Sequence, residues 1–312
     1  MKAIQISQFG SNEALTYTEL PEPELNPGQV LIKNKAAGVN PIDWKTCSGG
    51  GAAPFIGDLP FVPGWEFAGT VAKVADDVAD FKEGDEVFGF INFPERAGCF
   101  AEYVAVPADQ ISLRPHDLPV EAAGGLGLAG LTAWQALFDK GQLQASQKVV
   151  ILAAAGGVGH LAVQLAKWMG ARVVATASSE NHEFLRELGA DQVIDYRTEN
   201  ITDHVDNVDL VIDGVGGEVG IDALRCVKPG GTLVTLPSVT KDEVIAAGKQ
   251  MKVNVEPIRV EPNAEQLDRL AGLAADRKLQ LQLAQTFPLE NIGEAFDASR
   301  TGKVKGKLVL TI

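Results

Sequence analysis

The densest chemical signal in the chain is a run of small residues. In VVILAAAGGVGHLAVQLAK, Gly156, Gly157 and Gly159 follow an apolar stretch and precede residues at helical spacing. Glycines at such a turn let Ala155, Gly156, Gly157 and Val158 bring backbone N–H groups against a pyrophosphate, which the positive end of the following helix stabilises. The strand and helix contexts demanded by a dinucleotide-binding fingerprint are both present. A tight strand-to-helix turn needs small residues in any case, so a purely structural turn is the alternative. The fingerprint's first glycine is replaced, and Ala153, Gly156 and Gly159 read AxxGxxG.

Cofactor choice is read about 20 residues further on, at the end of the second strand. The chain there reads RVVATASSEN, with Ser178 and Ser179 at the strand end and no carboxylate before Glu180. Hydroxyls can donate to a 2′-phosphate, whereas a carboxylate repels it, so NADPH is favoured. Glu180 is close enough to leave NADH as a weaker cofactor. The alternative role for the serine pair is to cap the next helix.

Other chemistries lack their residues. His116, His160, His182 and His204 stand alone, without metal-ligand spacing, so no catalytic zinc is expected. No Ser–His–Asp arrangement is present, which leaves hydrolysis without a nucleophile. Cys47, Cys99 and Cys226 are far apart and odd in number, with no CxxC spacing. They make no disulfide framework and point to a reducing compartment.

Two textures position these residues. Up to residue 116, LNPGQVLIK, GTVAKVA, EGDEVFGF and AEYVAV combine β-branched residues with flanking turn signals, which predicts a compact all-β unit. Leu126–Leu137 is apolar enough for a buried helix. Strands then alternate with helices: strands at Lys148–Ala154, Arg172–Ala177, Gln192–Ile194, Asp209–Ile212, Thr232–Leu236 and Val253–Val260, with helical spacing over Val158–Met169 and Glu180–Leu188. Such alternation requires a doubly wound parallel sheet with right-handed crossovers. In the tail, Leu267, Leu270, Ala271 and Ala274 form one helix face, while Leu279, Leu281 and Leu283 alternate as a half-buried strand. Ile292, Ala295 and Phe296 suggest another helix, and GKLVLTI a last strand. Periodicity leaves open which unit the tail joins.

The 312 residues are enough for about two domains. Twenty-seven Lys and Arg against 41 Asp and Glu give a net charge of −14. Nucleic-acid binding needs a basic footprint, which this balance opposes. No apolar run is long enough to span a bilayer, and the amino-terminal residues lack a secretory signature. The expectation is a cytoplasmic protein that binds neither membrane nor nucleic acid.

AGVNPIDWK (37–45), VPGWEFAGTV (62–71), EGDEVFG (83–89), GCFAEYVAV (98–106), GLTAWQAL (130–137), AAAGGVGHLAVQLAK (153–167), LGADQVIDY (188–196), DLVIDGVGG (209–217) and GKVKGKLVL (302–310) run in order along the chain. With these motifs the chain resembles the zinc-independent quinone oxidoreductase and enone reductase branch of the medium-chain dehydrogenase/reductase superfamily, the zeta-crystallin-like group, over essentially its whole length. The resemblance implies a GroES-like β-barrel catalytic domain built from residues 1–116 and 262–312, and a Rossmann-type dinucleotide-binding domain of residues 117–261. It also implies a homodimer joined through edge strands near Val253–Val260.

Carried over by position, the resemblance puts Asn40 and Thr132 beside the nicotinamide ring, with Gly130 allowing close approach. Leu236 to Ser238 would meet the carboxamide side, and Val215 would add a further cofactor contact. Ser178 and Tyr196 would contact the 2′-phosphate or adenosine, and Lys307 would lie near the cofactor cleft. A lysine common after the serine pair in relatives is replaced by Asn181. Zinc-dependent relatives carry a cysteine where this chain has Asn40 and a histidine where it has Trp65. Asn40–Pro41 also fits a plain helix start, and Tyr196 could simply pack beside its helix.

The implied activity is NADPH-dependent hydride transfer to quinones or α,β-unsaturated carbonyls, which need no Lewis acid because the added charge delocalises onto oxygen. The protein contributes orientation and exclusion of competing reactions. Asp43, Trp44 and Lys45 could line the substrate side, with Lys45 donating to a developing enolate oxygen or remaining a solvated surface lysine. Two alternatives stand beside this: an NADPH-binding structural or interaction protein with little turnover, and an enoyl-thioester reductase, which the acidic balance disfavours.

Overall fold

The computed structural model describes all 312 residues. The chain divides into two compact units, Met1–Leu131 with Glu261–Ile312, and Thr132–Val260.

In the first unit, β1 (Lys2–Ile6) pairs antiparallel with β2 (Leu15–Glu19). The main sheet is built on β3 (Gln29–Val39), an 11-residue strand that is buried along most of its length. β4 (Glu66–Val74), β5 (Glu86–Phe90) and β7 (Ile111–Leu113) follow it antiparallel, and β6 (Tyr103–Pro107) pairs with the first half of β3. The tail returns to this sheet: β15 (Lys307–Thr311) pairs antiparallel with the second half of β3, and β14 (Leu283–Pro288) pairs parallel with β15. The inward residues form one core that includes Val30, Ile32, Phe67, Val71, Val87 and Ile111.

The second unit is a six-stranded parallel sheet in the order β10-β9-β8-β11-β12-β13, namely Gln192–Asp195, Arg172–Ala177, Lys148–Ile151, Val208–Asp213, Val227–Thr235 and Asn254–Pro257. In order of appearance this is 3-2-1-4-5-6, so the chain reverses direction across the sheet between β8 and β11. Val150, Val174, Val211 and Leu233 come from four adjacent strands and fill one core with Leu224 and Val244. Apolar runs of this kind suit strands covered on both faces.

Four expectations are corrected. Residues 117–131 cluster with the first unit rather than the second. The helix Val120–Gly124 and the start of Gly127–Trp134 lie against the sheet through glycines, and a Cβ on Gly124 would stand 2.7 Å from the Ala36 Cβ. The apolar stretch 126–137 is not one regular helix, because a π-helical turn over Gln135–Lys140 follows Trp134. β8 ends at Ile151, three residues before the apolar run does, because Ala153 turns at φ 51°. The strand foreseen over Leu279–Leu283 begins only at Leu283. After the helix Ala264–Ala275 the chain turns through Arg277 at φ 57°, and Leu279 is buried without entering a sheet.

Candidate functional site

The second unit gathers its chemistry at the carboxyl ends of its parallel strands. Ala155–Val158 follow β8, Ser178 and Ser179 follow β9, Tyr196 follows β10, Val215 follows β11, and Leu236 and Ser238 follow β12. In open α/β sheets ligands bind outside the carboxyl edge where the strand order reverses, and β8 and β11 flank that point here.

The turn after β8 is held by its own backbone. Gly156 N–H donates to the Ala153 carbonyl at 3.0 Å, and a Cβ on Gly159 would lie 2.4 Å from that carbonyl oxygen and 2.7 Å from Ala154 Cα. Only glycine fits at 159. The helix Gly159–Trp168 starts there with no side-chain cap, so no side chain competes there with an anionic ligand, although the His160 N–H of the first turn is taken by the Gly156 carbonyl at 3.1 Å. His160 is fully buried, with Nδ1 2.8 Å from the Gly156 carbonyl. A carbonyl can only accept, so Nδ1 carries the proton and fastens the turn. Spacing alone had left His160 isolated.

The turns after β11 and β12 are tied together by Asp213, a residue that sequence reasoning did not single out. Its Oδ1 accepts from the N–H groups of Val215 (2.9 Å) and Gly216 (2.7 Å), and its Oδ2 accepts from Thr235 Oγ1 (2.9 Å). The backbone carbonyl of Asp213 takes the Leu236 N–H at 2.9 Å. Val215 and Ser238 are exposed and Leu236 is half-buried.

At the ends of β9 and β10 the serines differ. Ser178 is buried, its Oγ accepts from Asn181 Nδ2 at 3.1 Å, and it makes no capping bond to a backbone N–H. Ser179 is exposed, and its N–H donates to Asp195 Oδ2 at 3.0 Å. Asp195 Oδ1 accepts from Arg197 N–H at 3.0 Å, so one carboxylate sets both turns. The Arg197 guanidinium donates to Glu180 at 2.6 Å and lies 6.0 Å from the centre of the exposed Tyr196 ring. The bond from Arg197 pulls the Glu180 carboxyl down to about 2, helped by its own backbone amide and the Ser178 hydroxyl. Arg197 is thus the cation at this end, and the signal that could have found it is its place directly after Tyr196.

The first unit holds a buried polar cluster. Asn40 directly follows β3, Glu66 opens β4 and Lys307 opens β15, and their side chains meet. Lys307 Nζ donates to Asn40 Oδ1 and, at 2.8 Å, to Glu66 Oε1. Asn40 Nδ2 donates to the same Oε1 at 2.7 Å, and the Leu128 N–H donates to Glu66 Oε2 at 2.7 Å. Asn40 also starts the helix Pro41–Cys47 in a capping box, in which Asp43 Oδ2 accepts its N–H at 2.6 Å. Asp43 is fully buried and its Oδ1 has no partner. Burial pushes this carboxyl up to about 8; the bond from the Asn40 backbone opposes the rise, and the Glu66 charge adds to it.

Lys45 Nζ sits 5.4 Å from the centre of the Trp44 ring. Gly130 makes room for Leu270, whose Cδ1 would be 2.9 Å from an added Cβ. Thr132 is buried near the end of Gly127–Trp134.

Comparison with known proteins follows the two units. Residues 26–116 match the family described as alcohol dehydrogenase GroES-like domain, and residues 188–310 match zinc-binding dehydrogenase. The chain is similar to a 2-methylene-furan-3-one reductase of Solanum lycopersicum, 36% identical over 99% of this chain and 79% of that protein. It is 35% identical, with the same coverage, to a chloroplastic NADPH-dependent alkenal/one oxidoreductase of Arabidopsis thaliana. Among solved structures it is similar to the quinone oxidoreductase from Coxiella burnetii, with TM-score 0.95 and 41% identity over 100% of this chain and 99% of that one. The zinc in the second family description finds no ligand set here. No three His, Cys, Asp or Glu side chains converge to hold a metal, position 65 is Trp, and an ammonium already sits on the Asn40 oxygen.

Proposed function

Because the chain belongs to the quinone oxidoreductase branch of the medium-chain dehydrogenase/reductase superfamily, we propose that it is an NADPH-dependent oxidoreductase that reduces quinones or α,β-unsaturated carbonyls without zinc. The observation that carries this is the convergence of Ala155–Val158, Ser178, Ser179, Tyr196, Val215, Leu236 and Ser238 at the carboxyl edge where the strand order reverses. The uncapped helix end and the glycine turn suit the pyrophosphate. The Arg197 guanidinium, with the serine hydroxyls, suits a 2′-phosphate, since guanidinium–phosphate bonds are charge-assisted.

NADPH supplies the hydride in this reaction. The protein's part is to hold the dinucleotide on the Gly156–Gly159 turn, to keep that turn closed through His160, and to shape the neighbouring turns through Asp213. Asn40, Lys45 and Thr132 are the residues proposed to act at the reacting groups. Support for zinc independence comes from Asn40 and Trp65, which replace ligands, and from the Lys307 ammonium on the Asn40 oxygen.

The proposal extends to a cytosolic homodimer. Three unpaired, buried cysteines fit a reducing compartment, and β13 forms one edge of the parallel sheet, where the resemblance places dimer contacts. No helix is long and apolar enough to cross a membrane.

A panel of quinones and conjugated enones, each assayed with NADPH and separately with NADH in the presence of a metal chelator, tests the reading. Oxidation of NADPH faster than NADH with at least one acceptor class is expected. NADPH binding without turnover of any acceptor would point instead to a binding protein.

A further inference from the structure

The cluster around Glu66 is poorly explained as a stabilising device. Its carboxylate and the Lys307 ammonium are 0% and 3% exposed, and taking two charges out of water costs several kcal/mol per ion before their attraction is counted. Well-packed apolar residues in such places are often as stable or more so. The surrounding backbone makes way for it: a Cβ on Gly38 would stand 2.0 Å from Glu66 Oε1.

The hydrogen bonds show what the pair does. Asn40 is held from both sides, with its oxygen receiving Lys307 and its Nδ2 reaching Glu66. These two bonds leave the amide one orientation, because turning it over would set Nδ2 against the ammonium and the oxygen against a carboxylate. Lys307 spends two of its three N–H groups on Asn40 and Glu66. Glu66 in turn is anchored to the chain by the Leu128 N–H.

We propose that Glu66 is a positioning residue for hydride transfer, fixing the amide of Asn40 and aiming the ammonium of Lys307. The inference rests on the reading above that Asn40 acts at the reacting groups. Glu66 itself is fully buried, so it acts through Asn40 and Lys307. Loss of its charge lets the Asn40 amide turn while the nucleotide turn of the other unit is left unaltered. The cost therefore falls on kcat rather than on the KM for NADPH.

A double-mutant cycle between Glu66→Gln and Asn40→Ala, assayed with the best acceptor of the wild-type protein, is the test. In the wild-type background Glu66→Gln should lower kcat at least ten-fold and move the NADPH KM less than three-fold. In the Asn40→Ala background the same substitution should cost less than three-fold, because the group it positions is gone. An unchanged kcat, or equal losses in both backgrounds, would overturn the proposal. A charge-neutral pair, Glu66→Gln with Lys307→Met, guards against a folding artefact. It should keep a thermal midpoint within a few degrees of wild type while kcat stays at least ten-fold down. Recovery of wild-type kcat, or loss of the fold in that pair as well, would mark the cluster as structural and overturn the proposal. A wild-type protein that turns over no acceptor would overturn the functional reading, and this inference with it.

Discussion

The Ala153 carbonyl oxygen stands 2.4 Å from where a Cβ on Gly159 would be. The turn proposed to receive the dinucleotide is thus closed on itself at backbone distance, with no flexible side chain to give way. Gly159→Ala must move backbone, and overpacking of this kind costs about 1–3 kcal/mol. We expect a lower thermal midpoint and NADPH binding weakened at least ten-fold, read by fluorescence titration. Unchanged affinity would mean that the turn is not the nucleotide's seat.

Ala153 itself holds φ 51°, a conformation that costs an L-residue about 1–2 kcal/mol. Glycine removes that cost but loses about 0.5–1 kcal/mol to its greater freedom in the unfolded chain. Ala153→Gly should therefore gain about 0.5–1 kcal/mol, measurable by chemical denaturation, with NADPH affinity kept. A loss of stability would contradict this.

Glu180 occupies the Arg197 guanidinium at 2.6 Å, so a 2′-phosphate bound there as proposed would compete with Glu180 for it. Glu180→Gln should raise the ratio of kcat/KM for NADPH over NADH about three- to ten-fold. Arg197→Ala should lower it about ten-fold, the scale of one charge-assisted hydrogen bond. If neither substitution moves the ratio, recognition of the phosphate lies with Ser178, Ser179 and Tyr196 alone.

Asp43 titrates near 8 when folded and near 3.9 when unfolded. Between these values the folded chain binds one proton more than the unfolded chain, so the unfolding free energy falls as pH rises, by at most about 1.4 kcal/mol per pH unit. The charged groups facing it are Glu66 and Lys307, while the Cys47 and Cys99 thiols near it are pushed up by burial. Asp43→Asn keeps an acceptor for the Asn40 N–H and should flatten the decline between pH 5 and 7. Parallel stability curves for the two proteins would contradict the assignment.

What the sequence made legible was what local chemistry writes. The glycine turn, the parallel strands and the serine pair each lie within a few residues and carry their own period or punctuation, and the structure has the turn and the strands near where those signals put them. The Glu66 cluster has no such signature. Asn40, Glu66 and Lys307 meet because β3 pairs with both β4 and β15, Leu128 joins them from the helix Gly127–Trp134, and no window of the sequence contains these meetings. Asp213 and His160 escaped for a related reason, since each serves backbone groups rather than a recognisable spacing. Leu279, Leu281 and Leu283 misled through their period of two, because one left-handed residue, Arg277, ends the preceding helix and carries the chain through a turn.

The reaction proposed for the protein is direct hydride transfer from NADPH to a conjugated acceptor without a metal. The most direct measurement uses NADPH carrying deuterium at the transferred position, chelator-treated protein and a conjugated enone, with mass analysis of the product. One deuterium gained per product molecule, at a rate unaffected by chelation, is the expected result. Product without deuterium, or activity lost on chelation and restored by zinc, would contradict it.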